Sequence, residues 1–242
     1  MSNKHWSSGP REILEHGIEL LQKDTDSSRR LAFLAIDNAV ELTVKTFLGL
    51  PKRITGLTIG RKQFDEITNS FPKMLELLAE HANARLTEIH IGEIEWFHRL
   101  RNELYHNGNG LTVERIKVSA YAGIAVVLFE KLFEEQLSIK GGTGIDLIAR
   151  YFGAWGALDR VLREWYQRYA GSVLAGANTP RQLAKKGVMD REVAERIEQL
   201  RVIRNRLTHD RNEDVPLTIT ADQIESAKQI TEDLRSRLAK ES

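Results

Sequence analysis

The chain has no cysteine among its 242 residues, so disulfides, thiolate metal sites and a thiol nucleophile are excluded by inventory. Proline is scarce, at 5 residues, and no run of strict apolar and polar alternation marks a strand. No apolar run approaches the roughly 20 residues needed to span a bilayer. The opening MSNKHWSSGP lacks the apolar core of a signal peptide, so the expected location is cytoplasmic, with no membrane partner. A dominant charge is missing too: the net value of +1 gives no global pull toward a polyanion, and any such site must be local. What remains is 41% apolar and 29% charged residues, the balance of a packed globular protein.

Apolar residues recur at i, i+3, i+4 and i+7 along most of the chain, which predicts an all-α fold. Helices are expected at about 10–23, from a cap at Asp26 or Ser27 to Gly49, 64–85 with a break near Pro72, 88–107, and 112–138. Residues 51–62, basic and unpatterned, read as an exposed, mobile loop. Gly141-Gly142-Thr143-Gly144 punctuates the chain. Beyond it, helices are expected at 145–169, 180–186, 190–209 and 221–240, with caps at Thr179, Met189-Asp190 and Thr220. The length suits two modest cores. The expected organisation is a first helical bundle at 1–140, a Gly-rich linker at 141–144 and a second bundle at 145–242, forming a pseudo-symmetric pair. The halves differ in their cations: residues 141–242 hold 13 Arg against 4 Lys, and Arg suits bidentate phosphate contacts.

A weak internal repeat supports that division. Leu100-Arg101-Asn102-Glu103-Leu104-Tyr105-His106 matches Ile203-Arg204-Asn205-Arg206-Leu207-Thr208-His209 at an offset of 103 residues, with Arg, Asn, Leu and His identical. A chance Arg-Asn-x-x-x-His match is expected roughly 0.03 times in a chain of this composition. Upstream, Ala35-Ile36-Asp37 resembles Ala157-Leu158-Asp159 at a different offset, which makes Asp37 and Asp159 candidates for orienting the motif arginines.

Asn102 and His106 share a helix face, as do Asn205 and His209, and Arg101 and Arg204 can swing toward the same pocket. The Asn amide can fix the tautomer of the His ring, leaving its other nitrogen to move a proton near neutral pH. Arg supplies a permanent positive fork for a phosphate whose charge grows in the transition state. This kit suits RNA cleavage by its own 2′-hydroxyl, since the nucleophile is already in the substrate. No metal or other cofactor is required, the products would be a 2′,3′-cyclic phosphate and a 5′-hydroxyl, and DNA would be inert. One His cannot serve as both acid and base, so the expectation is a composite site of both motifs.

The two motifs, on late helices of small bundles, resemble the Arg-x(4–6)-His signature of the HEPN superfamily, the higher eukaryotes and prokaryotes nucleotide-binding proteins. The resemblance rests on the motif hexads and their helices. It implies a metal-independent endoribonuclease of a toxin–antitoxin or antiviral-defence system, acting as a tandem pair or homodimer. RNA would be the substrate, and an antitoxin or another defence protein a partner. Carried over, Arg101, Asn102, His106, Arg204, Asn205 and His209 form the catalytic set. Some toxins of that superfamily carry a Tyr two residues after the His, modified by a partner; Gly108 and Arg211 stand there in this chain.

Other readings compete. Each hexad could be a plain helix C-terminus, with His and Arg complementing the dipole. Glu95-x-x-His98 and Glu103-x-x-His106 match the spacing of di-iron bundles, but both pairs lie on one helix and Arg206 breaks the pattern in the second copy, so His98 and Arg99 read as flanking residues. Trp155, Trp165, Tyr166 and Tyr169 read as packing more than as base-stacking residues. A non-catalytic RNA- or nucleotide-binding module, or a docking subunit of a defence complex, is the alternative function.

Overall fold

The computed structural model describes residues 5–106, 113–138, 143–170, 179–209 and 218–240. The described residues hold eleven α-helices after a 3-10 turn at His5–Ser7, and no strand. The fold is all-α. None of the described helices is long and apolar enough to cross a membrane. The chain packs into two compact units, residues 1–149 and 150–242.

In the first unit, α1 (Ser8–Gln22) is followed by α2 (Asp26–Gly49). The cap of α2 is Thr25, one residue ahead of the expected position. Its hydroxyl accepts the Ser28 N–H at 3.1 Å and the Ser28 hydroxyl accepts the Thr25 N–H at 2.9 Å, which satisfies two of the free donors at a helix start. The stretch expected as an unpatterned loop contains α3 (Lys52–Thr55), closed by Gly56 at φ +77°, and the start of α4 (Arg61–Ile67). The expected 64–85 helix is two elements, α4 and α5 (Phe71–His81), with the break at 68–70. Then come α6 (Ile91–His106) and α7 (Arg115–Phe133). The expected stop at Gly108 and Gly110 and the start at Thr112 lie outside the described residues.

The core is organised around α7, in which twelve consecutive residues, Val118 to Phe129, are buried. A helix apolar on every side belongs at the centre of a bundle, and α1, α2 and α6 pack on it. Phe97 of α6 stacks on Tyr121 of α7 with ring centroids 4.6 Å apart, and Phe33 of α2 stands 5.5 Å from the same Tyr121. Small residues allow close approach: a Cβ on Gly123 would stand 2.8 Å from the Ile148 side chain.

Ile148 belongs to α8 (Thr143–Ala170), and the division between the units falls inside this helix, after Ala149. Of the expected linker, Gly141 and Gly142 lie outside the described residues, and Thr143 and Gly144 open α8. The second unit continues with α9 (Thr179–Lys185), α10 (Arg191–Thr208) and α11 (Ala221–Lys240). Thr220 caps α11 as expected, its hydroxyl accepting the Gln223 N–H at 3.3 Å. Trp155, Trp165 and Tyr166 are buried. Trp165 Nε1 donates to the Leu234 carbonyl at 3.3 Å and the Tyr151 hydroxyl to the Leu200 carbonyl at 2.5 Å. These aromatics tie α8 to α10 and α11, so their role is packing.

Candidate functional site

The inward stripe of α6, Ile94 and Phe97, is fully buried; residues three and four positions further along emerge at the edge of that stripe. There Arg101 meets α2. Its Nε donates to Asp37 Oδ2 at 2.6 Å, one terminal nitrogen donates to Asn102 Oδ1 at 3.0 Å, and the other lies 3.5 Å from Glu41 Oε2. Asp37 and Glu41 are one turn apart on α2, which presents both carboxylates to the same guanidinium. His106 closes α6, and its side chain lies outside the described residues.

Asp37 is completely buried and has two further partners. The Tyr121 hydroxyl donates to Oδ1 at 2.7 Å, and His98 Nδ1 lies 3.1 and 3.2 Å from the two oxygens. Burial by itself raises the carboxyl pKa, but the bonds from His98 and Tyr121, the positive charge available on His98, and the bond from Arg101 outweigh it and hold Asp37 below its ordinary value. The opposite occurs at Tyr121, whose hydroxyl is pushed well above its ordinary value by burial and by the adjacent Asp37 charge. It is therefore a permanent donor. The His98 ring packs on Phe71 of α5, centroids 4.6 Å apart.

The sequence left His98 and Tyr121 out of the site; the structure makes both partners of Asp37. A signal for His98 was available: it lies three residues before Arg101 and four before Asn102, on the same face of α6. Its carboxylate partner is 61 residues away, and no spacing rule reaches that far. Arg99, grouped with His98, is exposed. Asp37, Glu41 and His98 place three potential ligand atoms within 4.8 Å of one another. A divalent cation there would have to displace the Arg101 guanidinium, so the cluster is suited to holding an arginine. Glu95 and Glu103 have no place in it.

In the second unit, Arg204 donates to Asn205 Oδ1 at 2.9 Å, the same clasp that Arg101 makes with Asn102. The amide oxygen expected to orient the His is thus turned to the neighbouring guanidinium in both copies. His209 is exposed and caps α10, its N–H donating to the Asn205 carbonyl at 2.7 Å. Asp159 differs from Asp37: it accepts from Arg163, one turn along its own helix, at 2.8 Å. The repeat also extends further back than the hexads, pairing Ile94 with Ile197, Glu95 with Glu198, Phe97 with Leu200 and His98 with Arg201. The apolar members of these pairs are buried in both units. Arg201, opposite His98, bonds Glu198 at 2.7 and 3.0 Å. In place of an imidazole held by a carboxylate from another helix, the second copy has a part-buried ion pair within one helix.

Comparison of the chain with protein-family models, characterised proteins and solved structures finds no match.

Proposed function

We propose that this protein is a metal-independent endoribonuclease that cleaves RNA by attack of the 2′-hydroxyl on the adjacent phosphate. The observation that carries the reading is the recurrence, in two separate units, of an Arg-Asn clasp five residues and one helix face from a His. The likeness of both motifs to the HEPN signature supports it and adds a role as a toxin or antiviral-defence effector. In the reaction, a motif arginine holds the phosphate and balances its growing charge, while imidazoles move the protons. His106 is one of these. His209 is the second imidazole that the motifs themselves offer.

The test is incubation of the purified chain with end-labelled RNA of mixed sequence in excess EDTA, beside matched DNA. Cleavage of RNA alone is expected, leaving 2′,3′-cyclic phosphates, with loss of on the order of 100-fold or more in the His106→Ala/His209→Ala variant. A specific observation favours a second reading: every nitrogen of the Arg101 guanidinium already has a protein partner, as suits a rigid module that binds RNA without cutting it. RNA retained in a stable complex and recovered intact would select that reading.

A further inference from the structure

The geometry points to His98 as a catalytic imidazole of the first motif: with Nδ1 held by Asp37, its Nε2 takes the proton of the attacking 2′-hydroxyl. This rests on the ribonuclease reading and supplies, within α6 itself, the second imidazole for which the motifs alone would call on His209.

His98, Asn102 and His106 stand at i, i+4 and i+8, on one face of α6 and about 6 Å of helix rise apart at each step. A phosphate at the Arg101-Asn102 clasp therefore has a His position on either side, as an in-line displacement with separate base and acid requires. Asp37 accepts from Nδ1 at 3.1 Å and Arg101 donates to the same carboxylate at 2.6 Å. One buried anion thus fixes both the imidazole and the positive fork. A carboxylate behind Nδ1 sets the tautomer, leaves Nε2 as the acceptor and stabilises the imidazolium once it forms. The His98 side chain is 13% exposed, so its edge is reachable, whereas Tyr121 behind Asp37 is completely buried. Asp37 and Glu41 from α2 and the Phe71 ring from α5 face His98, and Arg101 from α6 and Tyr121 from α7 share its Asp37 partner. In the step, the 2′-oxygen bonds to phosphorus as its proton passes to His98 Nε2. The bond from phosphorus to the 5′-oxygen breaks, and that oxygen takes a proton from the His106 imidazolium. Atoms and charge balance with no redox partner.

The decisive variant is His98→Asn, whose amide nitrogen falls near the position of Nδ1 and retains a donor to Asp37 while Nε2 is deleted. The expected result is a folded protein with kcat lowered on the order of 100-fold and loss of the acidic limb of the pH–rate profile, the limb on which the base must be deprotonated. A second variant, His98→Gly, should regain rate when imidazole is added. Wild-type cleavage with an unchanged rate and profile in His98→Asn, or no recovery of His98→Gly with imidazole, overturns the assignment of His98 and leaves the ribonuclease reading standing. Wild-type protein that leaves RNA uncut overturns both.

Discussion

Replacing Asp37 with Ala tests whether its carboxylate organises the first unit. It is completely buried and accepts from Tyr121, Arg101 and His98 at 2.7, 2.6 and 3.1 Å. Tyr121 has no exposed surface, so its hydroxyl cannot turn to water, and a stranded buried donor costs about 1–3 kcal/mol. Arg101 and His98 reach the surface at one edge and regain part of their hydration. Removing one member of a buried ion pair costs about 3–5 kcal/mol in total, and that is the expected destabilisation. Asp159→Ala is the control, because Asp159 pairs with Arg163 on a partly exposed helix face and such pairs contribute about 0.3–0.5 kcal/mol. Urea unfolding followed by circular dichroism, with m unchanged, reads both. A loss in Asp37→Ala within about 1 kcal/mol of the control refutes the argument, since Asp37 would then be no more than a solvated charge.

Two further outcomes follow from the same geometry. Because the folded pKa of Asp37 is depressed, its contribution to stability is complete above the unfolded value of about 3.9 and is lost as pH falls through the folded value. The stability gap between the wild type and Asp37→Asn should shrink as pH falls below about 4; a gap unchanged from about pH 5 down to about pH 2 contradicts this. Gly123→Ala gains helix propensity but sets a methyl 2.8 Å from Ile148 and 3.0 Å from the Ala149 nitrogen. A net loss of about 1–2 kcal/mol is expected from overpacking, measured by thermal unfolding, and a neutral or stabilising effect would show that α8 moves aside freely.

Helical periodicity carried most of the architecture, because α1, α2, α5 and α7 have wide apolar faces or are apolar throughout, and Thr220 announced its helix by cap chemistry. The 51–62 stretch was misread because a four-residue helix such as α3 is too short to display a period. Asp37 was visible as a companion of Arg101 through its repetition as Asp159, yet the repetition misleads about surroundings: the first is buried beneath Tyr121, the second lies beside Arg163 on its own helix. The Arg-Asn clasp was hidden for another reason. An amide oxygen next to both a guanidinium and a helix-spaced His has two possible partners, and only the folded arrangement decides between them.

The burial of α7 also has a consequence for the order of synthesis. Asp37 is made 84 residues before Tyr121, a delay of roughly 4 to 17 seconds at ordinary translation rates. Throughout that interval α2 has no α7 to cover Phe33 and Phe47, and the carboxylate lacks the donor that seals it. The first unit must therefore emerge as a set of amphipathic helices awaiting their own centre. Its most vulnerable moment is just before α7 leaves the ribosome, when a pause or premature stop would release a chain with its core side outward.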